Sequence, residues 1–209
     1  MAGERNGSTA STPGPCPVCG EQLYGWLAPE ARRVLDRCEN CGVVVERGVA
    51  VDLVDEWRRL GDGPTLTLPN RGSLQATIGL QRWAALGLSP GELVLTRRSL
   101  ALLAERNGAA VESASTPPAR RGQAWMWQTL LNGLTFHDNF AREWRAGRLR
   151  PSSATSRPRF YVDLVVTVLA APLVALVSAP LELGAALAGR GGELRAEVRR
   201  PRAGPSPSL

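Results

Sequence analysis

Cys16 and Cys19 stand in CPVC and Cys38 and Cys41 in CENC, with 18 residues between the two pairs. Thiolates are the softest ligands a chain offers, and a zinc ion takes four of them as a tetrahedron at about 2.3 Å. Two residues between paired cysteines let one tight turn aim both sulfurs at a single point. Gly20 and Gly42 follow the pairs directly and free the backbone to double back behind the metal. The spacing therefore predicts one structural zinc held by Cys16, Cys19, Cys38 and Cys41. An iron centre of the same geometry and four free thiols are the competing readings. Four thiolates leave no open coordination position, so the site is expected to hold structure together and not to do catalysis.

Little else in the chain has the look of chemistry. His137, the one histidine, lies beside Asp138 in LTFHDNFARE. A general base needs a positioned substrate and partners, and a hydrogen bond at a helix surface or helix end is the plainer role. Trp125 and Trp127 flank Met126 and cannot share one helical face; packing or an interfacial aromatic belt accounts for them. No catalytic or cofactor-binding residue is assigned.

The elements that must position these residues follow from pattern and punctuation. Residues 1–14 are rich in Gly, Ser, Thr and Pro and are expected to be disordered; they contain no apolar core, which argues against a secretory signal peptide and for a cytoplasmic chain with reduced thiols. A zinc ribbon is expected over 15–48, with GVVVERG (42–48) as one of its strands. VDLVDEWRRL (51–60) has helical spacing, with Val51, Val54, Trp57 and Leu60 on one side and Asp52 or Asp55 at its start. GDGP breaks it, and TLTL (65–68) is a short strand. A helix over 73–87 begins at Ser73, and ELVLT (92–96) is extended. Thr96 caps a helix that stops at Asn107-Gly108. AAVESAS (109–115) is a strand, TPPARRG (116–122) a loop, and 124–144 a helix broken at Gly133. An Arg-rich linker covers 145–160, a hydrophobic helical segment or hairpin 161–189, and a closing strand 191–200, before a disordered tail over 201–209.

TLTLPNRGSLQATIGLQRWAALGLSPGELVLTRRSLALLAERNGAAVES, with GQAWMWQTLLNGL and GGELRAEVRR after it, resembles the C-terminal half of bacterial class I SAM-dependent methyltransferases that carry an N-terminal zinc ribbon. The resemblance rests on Pro69, Asn70, Ser73 and Trp83, then on Thr96, Ser99, Leu100 and Gly108, and it covers about 51–200. It implies an α/β fold over 51–144, with a partial sheet of roughly three strands closed by 191–200. It also implies a strand, a Gly-rich loop and an acidic residue for the cofactor. Residues 43–50 alone separate CENCG from the helix at 51–60, and no GxGxG occurs. No position thus receives SAM binding, and the isolated chain is expected not to hold SAM. Two accounts remain: a relative with a binding or scaffolding role, or a subunit completed by a partner chain. An incomplete sheet leaves an open edge that a protein partner or a homodimer would cover.

All 25 basic residues are Arg, and the formal charge is +6. Coding bias of a GC-rich genome explains this, as does attraction to phosphates. Leu164 to Leu181 is an uncharged run of 18 residues, which as a helix rises about 27 Å against a hydrocarbon core of about 30 Å. Arginines lie on both sides of it, so the positive-inside rule gives no orientation. A re-entrant or interfacial segment on an anionic cytoplasmic membrane face fits, as does a buried hairpin bent at Pro172. Nucleic-acid binding by the ribbon is disfavoured, because Arg32, Arg33 and Arg37 are offset by Glu21, Glu30 and Asp36 and no basic–aromatic platform is visible.

Overall fold

The computed structural model describes residues 12–30, 33–86, 92–150 and 157–200. The disorder expected over 201–209 and over most of 1–14 lies outside the described residues. The fold is mixed α/β, with two small antiparallel sheets and helices around them.

The first sheet is the ribbon: β1 (Leu23–Glu30), β2 (Arg33–Cys38) and β3 (Val44–Glu46), in that order. Its register places Leu23 opposite Cys38 and Val44 opposite Arg37. The second sheet holds β4 (Thr65–Pro69), β5 (Ala110–Ser115) and β6 (Glu193–Arg199), in the order β4-β6-β5. The last strand thus enters between two earlier ones, antiparallel to both. Leu194, Ala196 and Val198 are buried while Arg195, Glu197 and Arg199 face water, the alternation that a half-covered sheet requires. Leu68 sits opposite Leu194 and Leu66 opposite Ala196, so the apolar residues of β4 and β6 share a face.

Caps place the helices. Asp52 accepts from the amides of Val54 and Asp55 and starts α1 (Leu53–Arg59). That start turns Trp57 into the core with Leu53 and Leu60 beside it, while Val54, expected inward, is 47% exposed. Ser73 caps α2 (Leu74–Gly79), which is much shorter than the helix expected over 73–87. Leu80 adopts φ +47°, and two 3-10 turns, Leu80–Arg82 and Ala84–Leu86, follow. The break lets Trp83 reach inward, its indole N–H donating to Gln75 Oε1 at 3.2 Å, and lets the Ala84 amide donate to Thr129 Oγ1. In 92–96 the extended backbone makes a single bridge, Val94 to Val44 of the ribbon. Thr96 and Ser99 form a capping box for α3 (Arg97–Arg106), which ends at Gly108 with φ +71°.

The expected loop over 116–122 is shorter than its pattern, because α4 (Arg120–Asn132) starts inside it. Helix 124–144 is two helices: α4 stops at Gly133 and α5 (Phe140–Arg145) begins after Asn139, itself at φ +56°. Asn132 Oδ1 accepts from the Asn139 amide at 2.7 Å and its amide group donates to Arg82 O, which replaces the helical bonds lost at the break.

The hydrophobic segment is one helix and no hairpin: α6 (Arg157–Leu187), 31 residues long, with Pro172 and Pro180 inside it. It begins within the expected linker. Both prolines lie on the exposed side, and the opposite side is fastened to the body along most of its length. Asp163 accepts from the Phe136 and His137 amides, Trp127 Nε1 donates to Ala171 O, and Glu182 Oε1 accepts from the Gly192 amide. A helix pinned at both ends and in the middle cannot fold back at Pro172.

Glu182 belongs to a buried knot. Gln75 Nε2 donates to Glu182 Oε2 and to Gly122 O. Gly122 and Gly192 leave room for it: a Cβ at Gly122 would meet Glu182 Oε1 at 2.5 Å, and one at Gly192 would meet Gln75 Nε2 at 1.6 Å. Burial raises the Glu182 pKa above the ordinary carboxylate value, opposed by the Gly192 amide. A carboxyl whose folded pKa is raised stabilises fully below its unfolded value, about 4.3, and loses that contribution as pH rises through the folded value. The expected outcome is that the native chain loses stability relative to the Glu182→Gln variant as pH rises from 4 toward 7, read from paired urea melts. A stability difference that stays flat across that window would contradict it.

Candidate functional site

The cysteines come together from two matching turns. The Cys16 amide donates to Glu21 O and the Gly20 amide to Cys16 O; the Cys38 amide donates to Val43 O and the Gly42 amide to Cys38 O. Each knuckle thus repeats the other's hydrogen bonds, with Gly20 at φ +84° and Gly42 at φ +75°. The pairing of Leu23 with Cys38 in the β1–β2 hairpin brings the knuckles face to face.

All four Sγ atoms lie within 4.8 Å of one another, with Cys16 to Cys41 at 3.7 Å and Cys19 to Cys38 at 3.4 Å. A tetrahedron with bonds of about 2.3 Å has edges of about 3.8 Å, so the cluster has the size of a four-sulfur metal site. None of the four is in a disulfide. Burial pushes the Cys16 thiol up to about 11 and raises that of Cys41 further. At Cys19 burial also acts upward, but the Glu21 backbone and the neighbouring sulfurs outweigh it and bring the thiol to about 7. Sulfurs this close and this buried can all be thiolates only with a cation among them. The four cysteines could therefore bind a metal, as their spacing predicts.

The ribbon is not a free-standing module. Thr96 Oγ1 donates to Cys41 O at 2.7 Å, Arg98 to Asn40 Oδ1 and Arg106 to Pro17 O. Gly42 packs against Thr96, where a Cβ would come within 2.7 Å of its methyl group. Cys16, Cys38, Cys41, Val18 and Val43 share one core with Leu100 and Leu103 of α3 and with Leu194 of β6. Within the ribbon Arg47 holds the buried Asp36 in a bidentate pair and Arg37 pairs with Glu39.

His137 is partly exposed, and its Nδ1 lies 2.7 Å from Oδ2 of the fully buried Asp163, not beside Asp138. Asp138 instead lies 3.6 Å from Arg82. Since Asp163 also accepts the two backbone amides at 136 and 137, the pair fastens the α4–α5 loop to α6. Nothing in the sequence marked Asp163 as its partner, because 26 residues separate them. Arg71 was equally silent: its guanidinium lies 4.0 Å from the Trp26 ring and its Nε is buried without a hydrogen bond. Burial first, and the charge of Arg37 second, lower it to about 10.

The outer face of α6 is the second feature of note. Phe160, Asp163, Thr167, Ser178, Glu182 and Ala185 are buried, at spacings of three, four or multiples of a turn. Val168, Leu169, Leu173, Leu176, Val177 and Leu187 are between 52% and 79% exposed. The polarity is inverted relative to a helix on a water-soluble core. Its best 18-residue window has a mean hydropathy of 2.4 and is 11% buried, so the helix is long and apolar enough to cross a membrane.

Comparison of the chain with protein-family models, with curated proteins and with solved structures returns no match.

Purified under reducing conditions without chelator, the chain is expected to carry about one metal ion, counted by plasma emission spectrometry. Cys38→Ser should abolish it and lower stability by several kcal/mol, given that structural zinc contributes on the order of 10 kcal/mol in small modules. A metal-free preparation of unchanged stability contradicts the site.

Proposed function

We propose that the chain is a zinc-binding, methyltransferase-like protein without catalysis of its own, which binds or scaffolds partners at the cytoplasmic face of a membrane and lies on that face through α6. The inverted polarity of α6 carries the reading. Exposing a face of Val and Leu while burying Asp163 and Glu182 is unfavourable in water and favourable against hydrocarbon. Because α6 is bound along its length to the body, through Trp127 of α4 at its middle, the Phe136 amide toward its N-terminal end and the Gly192 amide toward its C-terminal end, an interfacial position suits it better than a span surrounded by lipid. Exposed Phe136, Tyr161 and Trp144 extend the apolar surface at its N-terminal end, and Arg157 and Arg159 supply charge for anionic headgroups.

Zinc is the ion favoured at the cysteines, since four thiolates in a tetrahedron suit a closed structural zinc site and a reduced compartment keeps the thiols free. Support for the methyltransferase-like reading comes from the motif residues. Asn70 ties the end of β4 to Gly191 O and accepts from the Gly72 amide. Ser73 and Thr96 cap helices, Trp83 is buried, and the closing strand β6 returns to the sheet of β4. The outer edge of β4 pairs with no strand among the described residues, which favours the second reading, a SAM-dependent methyltransferase completed by a partner along that edge. The Asp36–Arg47 and Arg37–Glu39 pairs count against nucleic acid as the ribbon's ligand.

Two measurements test this. Vesicles of phosphatidylglycerol and phosphatidylcholine should carry the chain upward in a flotation gradient, and the triple variant Leu169→Asp, Leu173→Asp, Leu176→Asp should stay at the bottom with an unchanged circular dichroism spectrum. Native protein that is wholly soluble after detergent-free lysis and does not float defeats the membrane reading. Titration of SAM into the isolated chain by calorimetry should give no heat of binding; micromolar affinity would overturn the non-catalytic reading.

A further inference from the structure

Beside α6, between α4 and α5, lies a cavity of about 480 Å³. That is within the range of about 300–1,000 Å³ usual for small-molecule sites. Its walls are the rings of Trp125 and Trp127 and the methyl groups of Ala84, Ala124, Ala141 and Ala146, with Gln128 as a polar contact and Arg142 and Arg145 at the same cavity. The alanines make it a hollow where larger side chains would fill it.

Its charge is one-sided. Arg145 makes no ion pair among the described residues. Arg142 reaches Glu143 at 3.2 Å, but Arg148 takes both oxygens of that carboxylate, at 2.6 and 2.9 Å. The ionised state of Glu143 is favoured first by Arg148 and less by Arg142, so Arg142 keeps most of its donors. Arg121 stacks 4.8 Å over the Trp125 ring and holds that wall in place without lining the cavity itself. Trp127 is the wall shared with α6, its Nε1 donating to Ala171 O. Trp127 thus stands between the cavity and α6.

We propose that this cavity binds one anionic phospholipid drawn from the membrane on which α6 rests. The phosphate pairs with Arg142 and Arg145, and part of an acyl chain lies against Trp125, Trp127 and the alanines. Two guanidiniums favour a headgroup whose phosphodiester carries its only charge over a zwitterionic one, whose ammonium they repel. The inference rests on the membrane reading of α6, yet it concerns a pocket that can fill without a bilayer.

Calorimetric titration with monomeric dioctanoyl phosphatidylglycerol, below its critical micelle concentration, tests the site apart from the membrane. Saturable binding near one lipid per chain is expected, at least tenfold tighter than for dioctanoyl phosphatidylcholine. The double variant Arg142→Gln, Arg145→Gln should weaken it at least tenfold. Ala124→Phe, an exposed position on α4 that projects a ring into the hollow, should do the same with the melting temperature unchanged. Both variants should still float with vesicles, because α6 is intact. Absence of saturable binding to the monomeric lipid, equal affinity for the two headgroups, or binding indifferent to both variants overturns the proposal, whatever flotation shows. Monomer binding with no flotation keeps the pocket and removes the membrane reading.

Discussion

Glu182 is the tie on which the arrangement of this fold turns. Its two carboxylate oxygens reach the Gly192 amide at the entrance to β6 and the Gln75 side chain of α2. Gln75 in turn holds Trp83, and Gly122 of α4 lies against the carboxylate. One buried group thus joins the long apolar helix, the helix beneath it, the closing strand and the turn after α2. A carboxylate withdrawn from water is costly unless its lone pairs are satisfied. The two glycines that admit it are consequently as necessary as the donors. Satisfying those oxygens turns the polar stripe of α6 inward, and the same rotation sends its leucines and valines outward.

That rotation was not legible in the sequence. The run from Leu164 to Leu181 announces an apolar helix, but nearly every position in it is apolar, so periodicity says nothing about which side faces the body. The orienting residues, Asp163 and Glu182, stand just outside the run, and their partners are 26 and 107 residues away. A bend at Pro172 was equally reasonable on local grounds, since proline removes one helical hydrogen bond. Anchors at both ends and in the middle of the helix override that local weakness.

Where the punctuation is chemical, the sequence reads well. Asp52, Ser73 and Thr96 cap helices because their side chains meet amides two or three residues on, and Gly108 ends one because it tolerates a positive φ. The two CxxC pairs belong to the same class: a knuckle is a local turn, and its glycine is adjacent. Alternation in β6 placed Leu194, Ala196 and Val198 correctly for the same reason. The helices at 73–87 and 124–144 failed where a residue distant in the chain, Thr129 for the first and Arg82 through Asn132 for the second, supplied a better partner than the next helical turn.

The cysteine cluster and the apolar face of α6 are connected through this frame. The second knuckle rests on the capping box of α3 through Thr96, and α3 packs into the core that β6 shares with the cysteines. Beta strand β6 begins at the glycines that hold Glu182. A metal at the cysteines would therefore stiffen the support against which α6 is fastened, although none of the four cysteines touches the helix. The ribbon adds Val18, Leu23, Val43 and Val45 to the core that lies under β6, and a metal bound there would add rigidity to it. The open edge of β4 lies in the same sheet as β6, whose entrance anchors α6, so a strand added there would be joined to α6 by the same frame.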